Sequence, residues 1–269
     1  MSQPKPTLKM NARLLLLVIA FLVIPKQELY SQLGFSHEIG VIAGPFAFYS
    51  DFGKRGDVKT NSGNSTIAVG LIHYLNFAYR ADCNCYTRDK YFNDHFKVRS
   101  EIDYFSTTLQ HHGEWVADDQ QGAAPDFLRS MEGKTSVFDI GAQLEYFPLS
   151  IRDFAARPKS FAPFISVGLH WVNFDTNVTY DDALGIESNY YGGKYDPLTA
   201  IDNSGGSTWS FIGSVGVRYK LSPLSDLMLD SRWGYYFSNW VDGLNPEVPE
   251  NKSNEWMYWL NVGYIYYLE

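Results

Sequence analysis

The stretch Trp256-Met257-Tyr258-Trp259-Leu260-Asn261-Val262-Gly263-Tyr264-Ile265-Tyr266-Tyr267-Leu268 decides the fold. With the period of two of a β-strand, Trp256, Tyr258, Leu260, Val262, Tyr264, Tyr266 and Leu268 share one face, and Met257, Trp259, Asn261, Gly263, Ile265 and Tyr267 share the other. The first face is wholly apolar or aromatic. Such a strand with unpaired edges would template further strands, so the expected setting is a closed sheet. Trp and Tyr stand at the ends of that face and Leu and Val in its middle, the order of a strand crossing a bilayer between two interfacial aromatic girdles.

Working outward, seven more segments carry strand patterning: about 36–49, 65–78, 95–110, 136–147, 161–175, 207–221 and 226–240, with the last strand at 254–268. Phe96, Val98, Ile102 and Tyr104 oppose Lys97, Arg99, Glu101 and Asp103; Phe138, Ile140, Ala142, Leu144 and Tyr146 oppose Asp139, Gly141, Gln143 and Glu145; Leu227, Leu229, Trp233, Tyr235 and Phe237 oppose Asp230, Arg232 and Gly234. Either the apolar face packs inward in a soluble barrel or it meets lipid in a membrane barrel. Strand length favours lipid, since runs of about 12 to 15 residues exceed the soluble mode of roughly 5 to 6 and suffice for a tilted span of roughly 9 to 11. If the first strand starts on the periplasmic side, the outward loops are about 50–64, 111–135, 176–206 and 241–253 and the inward turns 79–94, 148–160 and 222–225, the loop asymmetry of outer-membrane barrels. The expected fold is therefore all-β, an eight-stranded antiparallel transmembrane β-barrel with a filled lumen. Glu38, Lys97, Arg99, Glu101, Asp103, Asp139, Gln143, Glu145, Arg218, Asp230 and Arg232 fall inward and mix both signs, as charges in a shielded lumen must; individual pairs such as Arg99 with Glu145 depend on register.

Composition agrees. The 269 residues hold 19 Tyr, 18 Phe, 7 Trp and 22 Gly, a profile of strands, tight turns and interfacial rings. The formal charge of −8 and the lack of a basic stripe argue against nucleic acid as a partner. Lys5, Lys9 and Arg13 precede the apolar run Leu14 to Ile24, with Ser31-Gln32 as a cleavage point, so residues 1–31 read as an export signal and 32–269 as the barrel, bound for the bacterial outer membrane. Outer-membrane lipid and the barrel assembly machinery are then its expected first partners.

Chemistry-bearing residues are sparse. Cys83 and Cys85 form a C-x-C in the first turn, either a disulfide or thiol pair or, at best, half a zinc site. His111-His112, with His95 and His37 elsewhere, read as loop decoration rather than ligands, because adjacent strand residues point to opposite faces. Asp118-Asp119 and Asp181-Asp182 read as solvated acidic loops without calcium-site spacing. Ser166 and His170 lie four apart on one strand face, expected in the lumen, and no nucleophile, zinc-protease or phosphate-loop motif occurs. No catalytic residue, metal or cofactor is expected.

The end of the last strand resembles the C-terminal targeting signal of bacterial outer-membrane barrels in Asn261, Gly263, Tyr266 and Leu268, with Glu269 as a departure. Three further stretches resemble the PorG-like small outer-membrane barrels of Bacteroidetes. They are Leu144–Leu149 with Phe161–Leu169, Tyr235–Asp242 beside that family's "TFTDYLDD", and His73–Arg80 beside its "YxLNxxxxxR". The chain departs from the family in Ser238-Asn239-Trp240 and in the Cys83/Cys85 turn. The resemblance implies a non-enzymatic component of the type IX secretion system attached to a periplasmic lipoprotein of the secretion complex. It would dock through Arg80, Asp82, Arg88 and Lys90 in one turn and Arg152 and Arg157 in the next. The alternatives are a lipid-modifying enzyme at the barrel rim and an adhesin acting through the outward loops.

Overall fold

A computed structural model describes residues 36–53, 57–61, 63–77, 91–181, 200–246 and 253–268. Eight strands, β1 (Ser36–Tyr49), β2 (Ser65–Asn76), β3 (Phe96–Gln110), β4 (Glu132–Tyr146), β5 (Phe161–Thr179), β6 (Gly206–Ser222), β7 (Ser225–Tyr236) and β8 (Trp256–Leu268), pair in chain order and close into one barrel. Every pair is antiparallel, including the β1–β8 seam, where His37 stands opposite Leu268 and Tyr49 opposite Trp256. Short helices sit at the ends: α1 (Val58–Asn61), α2 (Tyr91–His95), α3 (Ala123–Ser130) and α4 (Ile151–Ala156), the last capped by Ser150, whose hydroxyl accepts from the Asp153 N–H at 3.1 Å. No described helix is long and apolar enough to cross a membrane.

The expected strands are all present, with shifted ends. β4 begins at Glu132 and β5 runs to Thr179, both beyond the apolar alternation, because the ladder continues past the lipid-facing zone: Glu132 pairs with Thr179 and with Gln110. Conversely, β7 stops at Tyr236, and the chain then turns inward so that Val241 and Leu244 are buried. The proposed export segment 1–31 lies outside the described residues.

Alternation along the strands sets an apolar wall outside and a polar interior. Ile39, Val41, Val69, Leu71, Ile102, Ile140, Ile165, Val167, Leu229 and Val262 are exposed on the wall, while the charged residues between them are buried. Aromatic rings border this band. On the loop side Trp171 faces Trp209 across β5 and β6, and Trp233 packs on Tyr258 at 5.5 Å. On the turn side Phe161 packs on Tyr219 at 4.9 Å and Phe96 on Tyr146 at 5.1 Å, with Tyr264 and Tyr266 exposed nearby. Water would not tolerate an aliphatic belt this extensive on every strand, whereas a bilayer demands it and also demands the closed edge. The chain is an outer-membrane β-barrel.

Two glycines of β1, Gly40 and Gly44, let β8 approach at the seam, and Gly44 is the tighter. A Cβ on Gly44 would lie 2.1 Å from the Leu260 carbonyl oxygen and 2.9 Å from the Asn261 Cα, both backbone atoms that cannot swing aside. Next to it Pro45 has no N–H to give to β8, so this is also where the β1–β8 ladder lapses, between Ala43↔Val262 and Phe46↔Trp259. Gly44→Ala is expected to destabilise closure by about 1–3 kcal/mol, the usual range for overpacking. Its heat-modifiable gel shift, which reports a closed barrel, should vanish at a lower temperature than in wild type.

Candidate functional site

The interior is built from inward positions of all eight strands, and its charges interlock. Near the turns, Glu38 of β1 takes Lys97 at 2.5 Å and Arg218 at 2.7 Å. Arg218 reaches on to Glu145 at 3.4 Å and Asp226 at 3.7 Å and stacks on Tyr74 at 4.0 Å. Lys220 pairs with Asp226 at 3.3 Å over the Tyr267 ring, whose hydroxyl donates to Asp226 at 2.6 Å. Deeper in, Arg99 bonds Glu145 at 2.8 Å and Asp230 at 3.3 Å, donates to the Gln143 side-chain carbonyl at 2.8 Å and also pairs with Glu101. Arg232 holds Glu101 at 2.7 Å, Asp103 at 3.0 Å and Asp230 at 3.3 Å, its guanidinium 4.8 Å from the Trp259 ring. Glu145 and Asp230 are shared between neighbours, so the two groups form one network. Removed from water, each of these ions would cost several kcal/mol if left alone, and that is why the two signs alternate around the wall.

Aromatic layers close both ends. Towards the loops Phe46 stacks on Phe105 at 4.0 Å and Phe48 meets Tyr236 edge-on at 5.9 Å, under buried Phe127, Leu128 and Leu244 from the loops. Towards the turns, Phe147, Phe164, Ile151 and Phe154 are buried, with Lys97 5.7 Å from the Phe147 ring. Among the described residues, buried side chains fill both ends of the lumen.

The loop cap is tied by polar groups. Asp242 accepts from the Asp51 N–H at 2.7 Å and the Leu244 N–H at 2.8 Å, and the Thr135 hydroxyl donates to the Val241 carbonyl at 2.7 Å. Arg129 donates to the carbonyls of Val116, Ala117 and Gln120 at 3.2, 2.7 and 2.6 Å and pairs with Asp126. His111 lies against Phe52, ring centroids 5.0 Å apart, with its Nε2 shut off from solvent. Burial pushes the His111 imidazole from 6.5 down to about 4, with the backbone of Phe52 working against the shift. A histidine depressed in the folded state contributes stability in its neutral form. That stability is whole above pH 6.5 and is lost as the pH falls towards 4. Amide exchange in residues 111–116 should therefore accelerate, beyond the intrinsic pH trend, between pH 6.5 and pH 4 in wild type and not in His111→Phe.

Among the sequence candidates, all eleven inward residues named above are buried, and Arg99 does meet Glu145. Ser166 and His170 are lumenal but do not meet as nucleophile and base: the Ser166 hydroxyl bonds Gln143 and Ser214, both at 2.6 Å, while His170 Nδ1 bonds Asp139 at 2.9 Å. Among the described residues, two groupings have ligand-like spacing, Glu101–Asp103–His170 and Asp51–Asp242–Glu255. Arg232 occupies the first, and the second holds the loop cap. Asp118 and Asp119 are exposed, and the Asp181 N–H donates to the Ser130 hydroxyl at 3.2 Å. In the targeting stretch Asn261 and Gly263 face inward and Tyr266 and Leu268 face out. Arg152 and Arg157 lie on and just after α4. The Arg152 N–H donates to Asp94 at 3.1 Å, tying α4 to α2, and Arg157 is exposed with Asp153 at 3.9 Å. Arg80, Asp82, Arg88, Lys90, Cys83 and Cys85 lie outside the described residues.

No family model matches the chain, and no curated protein does. Among solved structures it is similar to Neisserial surface protein A, at 14% identity, covering 87% of this chain and 98% of that one with a TM-score of 0.40. It is similar also to OprG of Pseudomonas aeruginosa, at 13% identity with 86% and 96% covered and a TM-score of 0.41. A major outer membrane protein of Thermus thermophilus gives 14%, 87% and 99%, with a TM-score of 0.44.

Proposed function

We propose that this barrel is a non-enzymatic docking component of the outer membrane, of the PorG-like secretion kind that its sequence resembles, and that it engages a periplasmic lipoprotein through its turns. The observation that carries the reading is the filled lumen: among the described residues, salt bridges occupy it and aromatic layers cap it, so work falls to the rims. By the short-turn, long-loop rule the turn rim faces the periplasm. There α4 is braced by its Ser150 cap and by Asp94, and the segment just after it exposes Arg157 and Lys159 to solvent. Separate bonding of Ser166 and His170 weighs against the rim-enzyme alternative.

The test is a pull-down of tagged protein from detergent-solubilised outer membranes, wild type against Arg157→Glu with Lys159→Glu, two exposed positions whose change spares the barrel. Recovery of a lipoprotein with wild type alone supports docking. If both folded forms recover the same proteins, or neither recovers any, the docking role falls.

A second reading, adhesion through the loops, is favoured by Trp115, which is exposed on a turn whose carbonyl groups are strapped by Arg129. Loss of surface attachment on Trp115→Ala would support it.

A further inference from the structure

Two histidines stand on the lipid-facing wall at the turn rim, where their neighbours are aliphatic. Outward positions of β1 and β2 carry Ile39, Val41, Ile67, Val69 and Leu71, all exposed, and then His37 and His73. In register His37 faces Leu75 and His73 faces Ile39, so the two imidazoles are diagonal neighbours across one strand pair. They converge: His37 Nδ1 lies 3.0 Å from His73 Nε2, with ring centroids 5.2 Å apart and planes inclined by 26°.

We infer that His37 and His73 form a two-imidazole chelate for a divalent transition-metal ion of the zinc, nickel or copper class at the membrane rim. The geometry suits this. Metal–imidazole bonds of about 2.0–2.1 Å separated by a roughly right or tetrahedral angle put two nitrogens about 2.9–3.4 Å apart, and imidazole is a favoured donor for these ions. Without metal, the same approach is held by one N–H···N bond between neutral rings. Metal entry needs the donating ring to change tautomer, its proton leaving the shared position while one is taken up on its remote nitrogen, and needs the two rings to turn so that both facing nitrogens point at the ion; each ring then carries one proton on its remote nitrogen, Nε2 of His37 and Nδ1 of His73. Two protein donors leave further coordination positions, which water or a phosphate oxygen of the headgroup layer completes. Ser100, opposite His73 on β3 and exposed on the same face, borders the site. A metal here would clamp β1 to β2 one strand away from the closing seam.

The test uses untagged, folded protein in detergent micelles at pH 7.5, with thiols alkylated so that Cys83 and Cys85 are silent. Cu²⁺ is followed by electron paramagnetic resonance and Zn²⁺ by calorimetry. The expected result is one ion per barrel with two nitrogen ligands and an affinity at least tenfold weaker in His37→Asn and in His73→Asn, while His95→Asn and His112→Asn bind as wild type. Zinc should also raise the unfolding midpoint of wild type and not of the double variant, as a ligand bound only by the folded state must. Binding that survives in the double variant, or no binding by wild type at sub-millimolar metal, overturns the proposal. Both variants alter outward side chains, so the gel shift confirms that their barrels are closed.

Discussion

Arg232→Ala is expected to lower the unfolding free energy by about 3–5 kcal/mol, the range for removing one partner of a buried ionic cluster. This guanidinium serves Glu101, Asp103 and Asp230 at once and is itself fully buried beside Trp259. Its loss removes the cation that holds Asp103 and leaves Glu101 and Asp230 to share Arg99 with Glu145, in a place that water reaches poorly. The cost lies in the uncompensated charge more than in the bonds themselves. Adding Glu101→Gln and Asp103→Asn to Arg232→Ala should therefore restore part of the stability, although more hydrogen-bonding groups have been changed. Urea unfolding in lipid vesicles, followed by tryptophan fluorescence and gel mobility, measures both steps.

Val262→Arg on the outer wall should cost about 2–4 kcal/mol in a bilayer, the range for a cation near the midplane. Val262 lies midway along β8, between Ala43 of β1 and Leu229 of β7, and is 58% exposed. In a water-soluble barrel the same change at so exposed a position would stay within about 0.5 kcal/mol. The unfolding midpoint of this variant in vesicles separates the two cases, and its folding yield should fall as well, since the arginine must cross the hydrocarbon during insertion.

Most of the barrel was legible because lipid outside and charge inside reverse polarity at every residue, and that reversal is strong wherever the strand lies within the membrane. It fades where the strand leaves the lipid. Glu132, Lys134 and Thr176 belong to β4 and β5, yet their outward or inward setting carries no apolar signal, so those strands run further than their pattern. The loop-side plug was hidden for a different reason. Phe46, Phe48 and Phe105 point inward but belong to the same chemical class as the outer wall, and alternation between two apolar faces is silent. Pairings across strands were hidden altogether. Arg99 with Glu145 joins adjacent strands, Arg218 with Glu38 closes over a separation of 180 residues, and His37 meets His73 only because β1 and β2 are offset as they are. Register supplies such contacts, and no single strand contains it.

Nitroxide scanning of residues 258–266 in vesicles, one labelled cysteine at a time with Cys83 and Cys85 replaced by serine, separates a barrel with lipid outside and a packed polar lumen inside from any other arrangement. Collision with oxygen, which concentrates in lipid, should peak at 258, 260, 262, 264 and 266, while 259, 261, 263 and 265 should be shielded from oxygen and from a water-soluble nickel reagent alike. Strong nickel contact at the even positions would mean that water bathes the outer wall. Strong contact at the odd ones would mean an open pore, and either result would rule out a lipid-facing wall around a packed lumen.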